Sequence, residues 1–191
     1  MYSDGSCRGH QAACEWAAEL LRLMTRIHNP DSVGVVFDID DTLMESGTDR
    51  RPIQWPLWLY TECIDMGVQV AVVTARPRES AAITATELEA IGVTPQRGDT
   101  PGYSWLATMN GERVDDVPRY KLAQRLRLQE QLGSDGVLLL AVGDQWWDIV
   151  GSDTRINELE TGRQSADRSY IVDSLPATEP AQFGLCVASG R

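Results

Sequence analysis

Hydrophobic positions along this chain alternate between two patterns. Residues 12–28 place Trp16, Leu20, Leu23, Met24 and Ile27 at helical spacing, with Glu19, Arg22 and Arg26 between them, which predicts an amphipathic helix. Asn29-Pro30 ends it. Val33–Phe37 follows as a short, largely β-branched run without polar alternation, the pattern of a strand covered on both faces. The same type recurs at Val68–Val73 and Val137–Val142, and more weakly at Tyr103–Met109 and Tyr170–Val172. Helical stretches separate these runs at Pro56–Met66, Pro77–Ile91 and Arg119–Leu132. This alternation predicts an α/β fold, a Rossmann-like, doubly wound and mainly parallel sheet of about five strands flanked by helices. Ligands of such sheets bind beyond the carboxyl ends of the strands, so chemistry is sought there.

A length of 191 residues suits one domain spanning 1–191, with residues 1–30 as a helical segment packed on its core. Ser152–Ser169 is polar and acidic and reads as an exposed helix or loop; Asp115-Asp116 reads as a solvated turn. The formal net charge of −11 argues against an extended polyanionic partner such as nucleic acid, although a local basic patch is compatible with it. Cys7, Cys14, Cys63 and Cys186 form no CxxC pair, so a structural zinc site is not expected. No stretch has the length and apolarity of a membrane span, and the N-terminus lacks a basic start followed by an apolar run. The expectation is a soluble, cytoplasmic protein with reduced thiols and no membrane partner.

Three strand ends carry polar groups suited to phosphate chemistry. Val33–Phe37 runs into Asp38-Ile39-Asp40-Asp41-Thr42, whose first two acids, at i and i+2, can serve one pocket. Phosphate-ester cleavage needs one group to attack phosphorus and another to protonate the leaving oxygen. A calcium loop is the other reading of clustered acids, but the apolar Leu43-Met44 that follows lacks its further ligands. Val68–Val73 ends in Thr74-Ala75-Arg76-Pro77, where the Thr74 hydroxyl would either bind a phosphate oxygen or cap the next helix. Val137–Val142 ends in Gly143-Asp144, with Asp148 four residues on, a pair suited to a hard cation. Gly143 would let the backbone approach closely. Of the 17 basic residues only Lys121 is lysine. Where arginine otherwise serves throughout, a lone lysine marks a place for a compact ammonium rather than a planar fork.

In this order the motifs resemble those of the haloacid dehalogenase (HAD) superfamily: a DxDx[TV] strand end, a Ser/Thr strand end, a lysine and a GDxxxD-type acidic strand end. Asp38, Asp40, Thr42, Thr74, Lys121, Asp144 and Asp148 fill those positions. Phe37–Leu43, Val72–Pro77 and Gly143–Ile149 are most similar to the acid-phosphatase-like subfamily IIIB. The resemblance implies a Mg²⁺-dependent phosphatase that forms an aspartyl-phosphate on Asp38, with Asp40 as general acid and base. It implies metal ligation by Asp38, the Asp40 backbone carbonyl and Asp144. Asp148 would bind the ion directly, through water, or by orienting its ligands. It also implies substrate binding by Thr42, Thr74 and Lys121. Arg76 is a further candidate, for a second anionic group of the substrate. An acid at position 40 separates a phosphatase from dehalogenases, which have no leaving group to protonate, and from P-type ATPases, which carry Thr there.

Neither the interval from Asp38 to Thr74 nor that from Gly92 to Arg119 has room for an inserted cap domain, so little or no cap is expected. An open site suits a small phosphate ester, a macromolecular phosphate, or a homo-oligomer whose neighbour covers it. A small ester is the leading expectation. A nucleic-acid 3′-end phosphatase is the alternative, since capless relatives include such enzymes, and a catalytically silent binding protein is an alternative of another class. Trp55 and Trp58 are expected in the core, and one of Trp146 and Trp147 against substrate.

Overall fold

The computed structural model describes residues 4–94, 105–111, 116–150, 170–172 and 180–187. Helix α1 (Asp4–Ile27) leads through a short 3-10 turn into strand β1 (Val33–Phe37). There follow α2 (Gln54–Met66), β2 (Gln69–Pro77), α3 (Ala81–Ala90), β3 (Leu106–Met109), α4 (Val117–Leu132) and β4 (Val137–Gly143). A single helical turn, α5 (Trp146–Ile149), and strands β5 (Tyr170–Val172) and β6 (Phe183–Cys186) complete the described elements. The strands form one six-stranded sheet in the order β3-β2-β1-β4-β6-β5. All neighbours run parallel except β5, which pairs antiparallel with β6 at the edge. The expected α/β sheet is therefore present, with one strand more than the apolar pattern indicated. Phe183–Cys186 was not apparent in the sequence because its four residues include Gly184 and carry no β-branched run. Ser152–Ser169, Asp115 and residues 103–104 lie outside the described residues.

Each central strand is buried on both faces, as its unbroken apolar run implies. Val33, Val35 and Phe37 of β1, with Val70 and Val72 of β2, face the core beneath α1 and α2. Val36, Ala71, Val73, Leu138 and Ala141 face the opposite side, where Val117, Tyr120 and Leu128 of α4 cover them. α2 stops at Gly67, whose left-handed φ of 74° lets its N–H bond back to the Cys63 and Ile64 carbonyls. Trp55 and Trp58 pack partly buried on the first core and meet edge-on, 5.9 Å apart.

Helix α1 departs from its expected orientation. Its fully buried face is Ala13, Cys14, Ala17, Ala18 and Leu21, whereas Leu23 and Ile27 stand 53% and 67% exposed. Small side chains let the helix axis come close to its neighbours, so close packing rather than the largest apolar residues selects the face. Trp16 lies at the rim of that contact, edge-on to Phe183 at 5.7 Å.

The order reversal falls between β1 and β4, where the chain leaves β1 for β2 on one side and β4 for β6 on the other. In register, Phe37 lies opposite Val142, and the Asp38 N–H donates to the Val142 carbonyl at 2.9 Å. Asp38 and Asp144 thus leave the sheet side by side at its switch point. Only residues 38–53 connect β1 to α2, and 110–116 connect β3 to α4, so no cap domain is inserted at either place.

β6 also supports this end of the sheet, because Gly184 faces Ile149 of α5 with no room between them. A Cβ at position 184 would lie 2.1 Å from Ile149 Cγ2. Gly184→Ala is expected to lower stability in urea titration by about 1–3 kcal/mol. Adding Ile149→Ala should recover part of that loss, so the double variant is more stable than the sum of the two single changes.

Candidate active site

The site is built from three strand ends, one helix and a single helical turn. β1 delivers Asp38, which stays nearly buried because its backbone still pairs with β4. After it, Ile39, Leu43 and Met44 plug back into the core, and the Thr42, Leu43 and Met44 amides all donate to the Ile39 carbonyl. The plug turns the chain sharply, with Asp41 at a φ of 57°. Asp41 is consumed in holding that turn, accepting from the Ser46 amide at 2.9 Å and the Ser46 hydroxyl at 2.7 Å. The Thr42 hydroxyl is wholly buried and, among the described residues, meets no hydrogen-bond partner.

Strand β2 runs past Thr74 to Pro77, and α3 begins only at Ala81, after a 3-10 turn. Thr74 is therefore not a helix cap; its hydroxyl accepts from the Arg76 amide at 3.2 Å. Pairing with β3 slips between Val73 and Pro77, which releases Thr74–Arg76 from regular register at the sheet's carboxyl edge. β4 supplies Asp144, and the α5 turn supplies Asp148. A Cβ on Gly143 would lie 2.1 Å from the Asp148 Cβ and 2.3 Å from its Oδ2. The glycine is what admits Asp148 to the site, in the close approach expected of it.

Asp38, Asp144 and Asp148 each offer a carboxylate oxygen within 4.8 Å of the other two, and all three are buried. Lys121, from α4, bridges two of them: its Nζ donates to Asp38 Oδ1 at 2.5 Å and also to Asp148 Oδ1. Asp148 accepts the Gln145 amide on its other oxygen at 2.9 Å, while the Gln145 side chain donates to Asp144. Burial, reinforced by Asp148 and Asp144, lifts Asp38 to about 8 even though Lys121 pulls it down. Burial and Asp148 likewise raise Asp144 to about 6. Burial works against the Lys121 charge, but Asp148 and Asp38 outweigh it and hold the ammonium above the ordinary lysine range. Three carboxylates against one ammonium leave the pocket electron-rich, and hard oxygen donors in this number suit a small divalent cation.

Asp40 stands apart from that triad, with 39% of its side chain exposed. Arg76 holds it bidentately, Nε to Oδ2 at 2.9 Å and Nη2 to Oδ1 at 2.7 Å. The same guanidinium donates to Glu87 at 2.6 Å, and Glu87 also accepts from Arg50 at 2.5 Å. Both edges of Arg76 are thus engaged by carboxylates, and its side chain is only 11% exposed. Trp146 is buried and Trp147 packs partly buried on the second core, since consecutive residues of a helical turn point in different directions and can pack separately.

Glu87, Gln145 and Arg125 are site neighbours that sequence reasoning passed over. Arg125 carried one legible signal, its position one helical turn after Lys121.

A family model described as HAD superfamily, subfamily IIIB (Acid phosphatase) matches residues 43–172, beginning just after the Asp38–Thr42 segment. The chain is similar in fold to a solved class C acid phosphatase from Bacillus anthracis, with a TM-score of 0.62 and 12% identity over 94% of this chain and 77% of that one. It is similar to the same enzyme with tungstate bound, with a TM-score of 0.63 and 13% identity over the same shares. No curated protein matches this chain significantly.

The buried acids make stability depend on pH. Unfolded carboxyls titrate near 4, so between that value and the raised values of Asp144 and Asp38 the folded protein binds more protons than the unfolded one. Stability therefore falls as pH rises across this interval. In scanning calorimetry of the metal-free protein, Tm is expected to be lower near pH 8 than near pH 5. Mg²⁺ should raise Tm more at the higher pH, because it favours the ionised carboxylates. A Tm that climbs with pH, or a Mg²⁺ effect indifferent to it, would contradict this electrostatic account.

Proposed function

This chain belongs to HAD superfamily subfamily IIIB, the acid phosphatases, and from that premise we propose that it is a Mg²⁺-dependent phosphomonoesterase working through Asp38 on small phosphate esters. The observation that carries this reading is the buried Asp38 carboxylate held by Lys121 beside Asp144 and Asp148, with Asp40 anchored separately by Arg76. One carboxylate is thus kept with the cation ligands, and the other stands apart, partly exposed and oriented by Arg76.

Asp38 attacks phosphorus, and the bond to the ester oxygen breaks as Asp40 gives that oxygen a proton. Asp40 then takes a proton from a water that attacks the aspartyl-phosphate, releasing phosphate and restoring Asp38. Asp38, Asp144 and the Asp40 backbone carbonyl would hold the divalent cation, with Asp148 as a further ligand or an orienting group. Its contribution when bound is positive charge between two anions that otherwise repel. Lys121 and Thr74 bind phosphoryl oxygens, with Thr42 behind them. Arg76 reaches a substrate anion only while keeping Asp40 in place, so its first duty is to orient the acid.

The short 38–53 connection has no room for an inserted cap domain, which favours loosely selected small esters acted on by a single domain. Cys14 and Cys63 are free and buried, in keeping with a reducing cytoplasm. Among the described residues no helix is long and apolar enough to cross a membrane.

The test is turnover of an aryl phosphate with and without Mg²⁺. We expect none without the ion, background activity in Asp38→Asn, and a roughly 10²–10⁴-fold loss in Asp40→Asn. Full activity in Asp38→Asn would overturn the mechanism. Tungstate, bound in one of the similar solved structures, should inhibit competitively.

A further inference from the structure

Among the described residues Arg125 has the largest of the fully buried side chains, 1% exposed, and lies at the back of the site. A guanidinium does not lose its proton under any ordinary condition, so α4 carries a permanent charge into the interior. Such burial costs several kcal/mol unless hydrogen bonds offset it. Two of the bonds it makes are directed at one place. Nη1 donates to the Trp147 carbonyl at 3.0 Å and to the Asp148 carbonyl at 2.8 Å. Arg125 also lines a small void together with Asp38, Lys121 and Asp148.

Those two carbonyls belong to α5, a single turn too short to hold its own shape. Its amino end is tied by a capping box, in which the Gln145 side chain accepts an amide of the turn and Asp148 accepts the Gln145 amide. Its carboxyl end, where carbonyls gather negative partial charge, is where a cation is most favourable. One turn apart on α4, Lys121 grips the Asp148 carboxylate and Arg125 grips its backbone. Side chain and main chain of one residue are thus held from the same helix face.

We propose that Arg125 is a positioning residue for the cation site, fixing the α5 turn so that the Asp148 carboxylate faces Asp38 and Asp144. The role rests on the reading of that triad as a cation site. It goes beyond it by assigning the support to a buried arginine outside the four motifs.

Coulomb repulsion and positioning predict opposite signs. If Arg125 acted on the ion only through its charge, removing it would tighten cation binding, because a nearby positive charge would be lost. If it acts by positioning, removal loosens binding. The experiment is Mn²⁺ titration of the metal-free protein, followed by electron paramagnetic resonance, for wild type, Arg125→Met and Arg125→Lys. Each is accompanied by a melting curve and by kcat and KM for an aryl phosphate.

We expect Mn²⁺ affinity to fall roughly 10- to 100-fold in Arg125→Met. We also expect kcat to fall with little change in KM. Arg125→Lys, which keeps the charge but not the fork, should lie between the two. Unchanged or tighter binding in Arg125→Met overturns the proposal, as does wild-type affinity in Arg125→Lys should the methionine variant not fold. Losses that match only the unfolded fraction in the melting curves also overturn it. Wild-type protein that neither binds Mn²⁺ nor turns over substrate overturns the phosphatase reading itself, and with it the proposal.

Discussion

Three carboxylates brought together out of water, at the gap where β1 and β4 part, are the constraint around which the rest of this structure is arranged. Anions so placed repel one another and lose hydration, and the Lys121 ammonium answers only part of that cost. The remaining demand is for a cation, and meeting it explains several otherwise separate features. Strand order opens the gap between Asp38 and Asp144. Gly143 omits the side chain that would keep Asp148 out. Gln145 and Arg125 tie down the two ends of the turn that carries Asp148.

The polar groups fall into two zones with different chemistry. The inner zone is buried and charge-dense, suited to holding an ion and a nucleophile whose position must not drift. The outer zone is a chain of alternating charges, from Asp40 through Arg76 and Glu87 to Arg50, that runs toward the surface. Asp40 is partly exposed while Arg76 fixes its orientation. The two carboxylates of the Asp38–Asp40 pair thus sit in different environments, as the proposed division of roles requires.

The described elements give this arrangement a firm base. Both faces of the sheet are closed, by α1 and α2 on one side and α4 on the other. The close seat of α1 depends on alanines and Cys14, so the helix contributes to the core through proximity rather than bulk. At the carboxyl edge, connections are short where other folds of this kind could insert a lid.

Much of this was legible in the chain itself. Runs such as Val33–Phe37 and Val137–Val142 announce strands covered on both faces, and acids at their ends mark where the chemistry lies. Lys121 stood out by composition alone. These signals are local, and local signals survive in a one-dimensional string. Which face of α1 is buried, the place of β6 beside β4, and the capture of Arg76 by Asp40 and Glu87 depend on residues far apart in sequence. Arg125 is the clearest case: in the string it is one of many arginines, and only the packing of α4 against α5 makes it a buried charge aimed at Asp148. Spacing marked Asp38 and its companions as candidates, whereas the tertiary structure decided which charges are shielded, which are exposed, and what holds each in position.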